Sequence, residues 1–187
     1  MASLFDDVLS REDNVTIEVP TKIEGLFQRS FPTASCTSTA MDEGLEGFHV
    51  IHAADLPQIL RTDITSFQKA KRPVFEVDTK LAAALKGRIV NPDNKPVVGV
   101  SWRSMKLNAY RMAFLMNVKE LTPILETPDV VFVNLQYAVL DKELAWARDS
   151  LGVELLTWDD VDLLNDMEAA FALTSCMDLV ISPGTSV

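Results

Sequence analysis

The chain has 187 residues, 48% of them hydrophobic and 24% charged, with a formal net charge of -10. That length allows one large domain or two small ones, and the acidity disfavours a general nucleic-acid or membrane-surface binder, because both of those partners are polyanions. No stretch approaches the roughly 20 apolar residues of a membrane span, and the start, MASLFDDVLS, carries acids where a signal peptide needs an apolar run.

The first half is irregular. Val15, Ile17 and Val19 alternate with Thr16 and Glu18, as in a strand that buries one face. Thr21-x-x-Glu24 reads as a capping box, followed by the helix face Ile23, Leu26 and Phe27 and a stop at Phe31-Pro32. Ala34 to Thr37 and Phe48 to His52 are expected to be short strands, and Thr79 to cap a helix through Leu85. So few short elements make a poor core on their own. Residues 1–90 therefore read as the tail of an α/β domain. Asn91-Pro92-Asp93-Asn94-Lys95-Pro96 opposes both helix and strand, and residues 91–96 read as a linker.

The second half, residues 97–187, alternates regularly. Val97 to Ser101 is a continuous apolar run, as expected of a strand covered on both faces. Asn117, with Glu120 three residues on, caps a helix near Val118 to Glu126; Val118, Leu121 and Leu125 form its inner stripe, and Pro123 should bend it. Val130 to Leu135 is a second buried strand. Asp141 to Ser150 is a helix with Leu140, Leu144, Ala147 and Leu151 at helical spacing, ended by Gly152. Val153 to Leu156 is a third strand. Asn165, with Glu168, caps a helix whose Met167, Ala170, Phe171 and Thr174 should face inward, and Asp178 to Ser182 is a fourth strand. The order β-α-β-α-β-α-β predicts an α/β fold: a Rossmann-like parallel sheet with right-handed crossovers.

Ligands of such sheets bind beyond the carboxyl ends of the strands, where strand order reverses. With strands ordered 3-2-1-4, that point lies between the first and fourth. It gathers Ser101-Trp102-Arg103-Ser104 and Pro183-Gly184-Thr185-Ser186. Backbone N–H groups and hydroxyls at a Gly-Thr-Ser turn suit an anion, although plain capping chemistry uses the same residues. Arg103 suits a phosphate bidentately, or else sits solvated. Trp102 and Trp158 read as packing residues, and Asp159-Asp160 as either a ribose ligand or a helix-capping turn. His49 and His52 have no metal spacing. Cys36 and Cys176 lie far apart and are expected to stay reduced in a cytoplasmic protein. There is no nucleophile–base pair, G-x-G-x-x-G, Walker loop or metal motif. A signalling receiver is disfavoured because the first strand ends in Val100-Ser101-Trp102 rather than in magnesium-binding acids.

Three segments together carry a resemblance: VVGVSWRS, VKELTPILETPDVVFVNLQY and DLLNDMEAAFALTSCMDLVISPGTSV. They are similar to the glycosyltransferase-like C-terminal region found behind tetratricopeptide repeats, itself similar to heptosyltransferases and to O-linked N-acetylglucosamine transferases. LFQRSFP, HVIHAADLPQIL and RPVFEVD resemble the end of that family's first domain, so the likeness runs from about Ile23 onward. It implies a GT-B architecture, two Rossmann-like domains across a cleft, in which the second domain holds a nucleotide-sugar and the first an acceptor. No cofactor beyond that donor is implied. By matching position, Ser101, Arg103, Gly184, Thr185 and Ser186 would face the donor's phosphates and Gln136 would lie near the nucleotide. The family continues with a histidine-containing helix, and commonly has an acid before the last turn's threonine. Here Pro183-Gly184 stands there and the sequence given stops at Val187. The expectation is a fragment of a glycosyltransferase-like protein, inactive by itself, whose parent carries tetratricopeptide repeats. The alternative is a non-catalytic scaffold built on a degenerate nucleotide-sugar fold.

Overall fold

Two stretches with little polar interruption, Val97–Val100 and Val131–Asn134, form the centre of a parallel sheet. They belong to the second of two units, Met1–Val77 and Asp78–Val187, into which the chain divides. The computed structural model describes residues 2–39, 47–69, 74–104 and 115–184.

In the first unit, α1 (Phe5–Leu9) is followed by β1 (Thr16–Glu18), α2 (Thr21–Ser30) and β2 (Ser35–Thr37). β1 and β2 pair in parallel, with Ile17 opposite Cys36. The period-2 alternation buries Ile17 and Val19 and leaves Thr16 and Glu18 exposed. Phe27 of α2 and Phe31 just beyond it meet Phe5 and Phe75, with ring centroids 5.2 to 6.4 Å apart. Several of these pairs are edge-on, the arrangement that ring quadrupoles favour. The helix start differs from expectation. Thr21 is the first residue of α2 and not its cap; Pro20 precedes it at φ -57°, offering no side-chain cap bond.

The segment Phe48 to His52 is not a strand. Phe48, Val50 and Ile51 are exposed, and His52 Nδ1 accepts the Ala54 amide at 3.2 Å, starting the turn into α3 (Leu56–Leu60). Leu56 and Leu60 pack on Leu4, and Arg61 pairs with Asp7 of α1.

The second unit begins with α4 (Thr79–Lys86), capped by Asp78 and not Thr79: Asp78 Oδ1 accepts the amides of Lys80 and Leu81 at 2.8 and 3.0 Å. β3 (Val97–Val100) comes next. A 3-10 turn, Val118–Leu121, carries the expected Asn117/Glu120 capping box and runs into α5 (Thr122–Leu125). Pro123 thus falls in the first turn of α5, where no backbone N–H is required of it. β4 (Val131–Asn134), α6 (Asp141–Leu151), β5 (Leu155–Leu156), α7 (Met167–Thr174) and β6 (Leu179–Ile181) complete the unit. Gly152, at φ 68°, ends α6 as expected. α7 is capped by Asp166, whose Oδ1 accepts the Ala169 amide at 2.9 Å, while Asn165 is held in a turn by Asp162. Its buried face is Ala169, Ala172 and Leu173, offset from the expected stripe.

The four strands among its described residues are parallel, in the order β5-β4-β3-β6. This is the 3-2-1-4 winding of a Rossmann-like α/β sheet. One face carries Val98, Val100 and Phe132 against Leu121, Leu125 and Ala147 of the α5 and α6 side. The other carries Val97, Val133 and Leu135 against Leu85 of α4 and Ala172 and Leu173 of α7. Because Leu85 belongs to this core, the division of the chain falls before α4. Residues 91–96 form a turn inside the second unit, with the Asn91 side chain bonded to both the amide and the carbonyl of Lys95. Gly99 of β3 faces the α7 layer. A Cβ there would lie 2.4 Å from Leu135 Cδ1 and 2.9 Å from Met177 Cγ, so only glycine lets these two side chains close over the strand. Among the described residues β6 is the outer strand of the sheet, and its Leu179 is exposed.

Candidate functional site

The reversal of strand order lies between β3 and β6, and the residues leaving these two strands meet there. The Ser101 amide donates to the Ile181 carbonyl at 3.0 Å, and the Ser101 and Ser182 hydroxyls are hydrogen-bonded at 2.8 Å. Ser182 also donates to the Pro183 carbonyl at 2.8 Å. Gly184 follows as an exposed bend. Thr185 and Ser186, the other two expected phosphate contacts, lie outside the described residues.

The neighbouring strand end is braced by amide side chains. Gln136 is buried after β4, and its Oε1 accepts the backbone amides of both Trp102 (3.0 Å) and Arg103 (2.9 Å). Its Nε2 donates to the Tyr137 carbonyl at 2.7 Å, and Asn134 Oδ1 accepts the Gln136 amide at 2.9 Å. Gln136 is therefore the strut that ties the loop after β3 to the loop after β4. Its amide group spends its acceptor and one of its donors inside the protein.

Arg103 turns away from the β3–β6 notch toward α6. Its Nε donates to Glu143 Oε1 at 3.0 Å, and its Nη2 to Glu143 Oε2 at 2.8 Å and to the Ala138 carbonyl at 2.9 Å. The two side chains are only 15% and 12% exposed, so this forked pair is worth more than a solvated surface pair. Glu143 also accepts the Trp102 indole N–H at 3.0 Å and, reaching back across the first turn of α6, the Leu140 amide at 2.9 Å. Burial alone pushes the Glu143 carboxyl up, but hydrogen bonds from Arg103, Trp102 and Leu140 outweigh it and hold the group below its ordinary value. Trp102 itself is fully buried, consistent with its reading as a packing residue.

Sequence reasoning did not find Glu143, although its position three residues after Leu140 is the spacing of a helix-start glutamate. Nor did it find Ala138, which holds φ 51° in the loop between β4 and α6. Left-handed backbone is costly for alanine and leaves no composition signal. Of Asp159-Asp160, Asp160 is committed: it accepts both terminal nitrogens of Arg88, at 2.9 and 2.6 Å, and that guanidinium lies over the Trp158 ring. An open cleft of ≈ 260 Å³ lies at the opposite, amino edge of the sheet, between Val131, Gly152, Glu154 and Leu156. Among the described residues that line it there is one carboxylate, Glu154, and no cationic side chain, which does not suit an anion. Among the described residues no three histidine, cysteine or acidic side chains gather as a metal site, and no helix is long and apolar enough to cross a membrane.

No protein-family model matches the chain, and no solved structure matches it. It is similar to Protein FlbA of Caulobacter vibrioides (strain ATCC 19089 / CIP 103742 / CB 15), at 33% identity over 202 aligned residues covering 96% of this chain. The chain spans 33% of the length of that relative.

Proposed function

We propose that this chain is part of a glycosyltransferase-like protein and that the carboxyl edge of its second unit receives the diphosphate of a nucleotide-sugar donor. The observation that carries the reading is the meeting of Ser101 and Ser182 at the reversal point of the sheet. Strand tips at such a point leave backbone amides and hydroxyls facing a crevice, which suits an anion. Stabilising a leaving diphosphate calls for this kind of donor set. The acceptor, tetratricopeptide repeats in a longer parent, and a cytoplasmic location belong to the same proposal. Sugar transfer is expected of the longer protein and not of these residues by themselves.

A second reading has its own observation. Arg103 and Gln136 make their bonds within the protein, which is what a non-catalytic scaffold on the same fold would do. Calorimetric titration with UDP, GDP and ADP separates the two. Saturable binding at a Kd of about 1 mM or tighter, roughly 4 kcal/mol, weakened several-fold by Ser101→Ala, supports the donor site. Absence of saturable binding for all three nucleotides favours the scaffold.

A further inference from the structure

The Glu143 carboxylate sits in a setting more elaborate than a helix cap requires. Capping α6 needs only its bond to the Leu140 amide. Yet it also takes two N–H groups from the Arg103 fork and one from the Trp102 indole, at 2.8 to 3.0 Å. Donors from the loop after β3 and from the start of α6 thus converge on one anion. Three further facts mark the arrangement as exchangeable. Both side chains keep some exposure, 15% for Arg103 and 12% for Glu143. The guanidinium also holds the carbonyl of Ala138, the alanine kept at φ 51°. Backbone held in a sparsely populated conformation at a candidate site is a place where stored strain can be released on binding. Finally, the fork that grips a carboxylate bidentately grips a phosphate in the same way.

We propose that Glu143 is an internal stand-in for a ligand anion, and that a diphosphate displaces it from Arg103 and the Trp102 indole. Resting on the donor-site reading above, this names the mode of entry: the carboxylate swings outward, Arg103 and the indole N–H pass to phosphate oxygens, and the Ala138 loop relaxes. Glu143 is then a positioning residue that keeps Arg103 aligned in the empty state and weakens binding by competing for it.

Inorganic pyrophosphate and UDP are the probes, titrated into the chain and into Glu143→Gln and Arg103→Ala, with thermal melts to establish folding. Glu143→Gln keeps an oxygen for Trp102 and Leu140 but loses the charge. It is expected to bind pyrophosphate about tenfold or more tighter than the unaltered chain, and Arg103→Ala to bind it not at all. In the unaltered, 15N-labelled chain, pyrophosphate is expected to shift the indole N–H resonance of Trp102, assigned through Trp102→Phe. This readout decides the matter even if a variant fails to fold. A Trp102 resonance that stays still while ligand saturates, or Glu143→Gln binding no tighter, overturns the stand-in role. If UDP still binds in that case, the donor reading survives. If Glu143→Gln captures pyrophosphate but UDP, GDP and ADP bind no better than pyrophosphate, the stand-in role holds and the nucleotide reading falls. Binding of neither probe to any folded variant overturns both.

Discussion

Gly99 shows how one absent side chain sets the packing of a layer. Its neighbours Leu135 and Met177 occupy the space where a Cβ would stand, 2.4 Å from Leu135 Cδ1 and 2.9 Å from Met177 Cγ, so a Cβ forces both side chains to move. Gly99→Ala is therefore expected to lower stability by about 1–3 kcal/mol, the usual cost of overpacking, read as a lower midpoint in urea with an unchanged slope. Glu143 gives a second prediction, with its sign fixed by its shift. Its carboxyl is held below the ordinary value in the folded chain. The stability it contributes is thus present above the ordinary glutamate pKa of about 4.3 and lost as pH falls through the lower folded value. Acid titration of the melting temperature should show a drop in that window that is reduced in Glu143→Gln. Neither residue stands out by type: Gly99 looks like a weak point in a strand, and Glu143 like one of many surface acids. The distances that make them matter arise only once β3, β4 and the helices are stacked.

Among the elements, the central strands of the second unit were the most legible, because apolar runs such as Val97–Val100 have few other places to go, whereas the expected strand Val153 to Leu156, broken by Glu154, shrinks to Leu155–Leu156. The Asn117/Glu120 box was legible for a similar reason: cap, spacing and apolar stripe all agree. Caps in acid-rich stretches were not. Asp162, Asn165 and Asp166 all have cap-forming side chains, and composition cannot choose among neighbours; the structure assigns Asp166 to α7 and uses Asp162 for the preceding turn. Asp166→Ala is expected to cost about 1 kcal/mol, whereas Asn165→Ala should cost clearly less, a contrast that paired denaturation curves will measure. Phe48 to His52 failed as a strand for a different reason. Apolar content makes a strand possible, but a ladder partner makes it real, and His52 bonds locally instead.

For the whole molecule, the Rossmann-like class followed from the alternation of strands and helices, and the 3-2-1-4 order found is the usual winding that the reading of the sequence took as its condition. The ownership of α4 did not follow, because a proline-rich turn looks the same inside a unit as between two. With Leu85 buried against Ala172 and Leu173, a fragment of residues 78–187 should melt cooperatively, while residues 97–187, stripped of α4, should melt broadly. The loss of one buried leucine alone is worth roughly 2 kcal/mol. Calorimetry on the two fragments tests where the boundary lies.

The exposed Leu179 on β6 has a bearing on how the protein behaves in a test tube. Among the described residues β6 is the outer strand of its sheet, and an outer strand that shows an apolar side chain gives a stray chain a place to attach. The net charge of -10 holds like molecules apart, but only over the distance that dissolved ions permit. Concentrated, salty buffers remove that repulsion, so purification in dilute buffer is the condition that keeps neighbours from sticking.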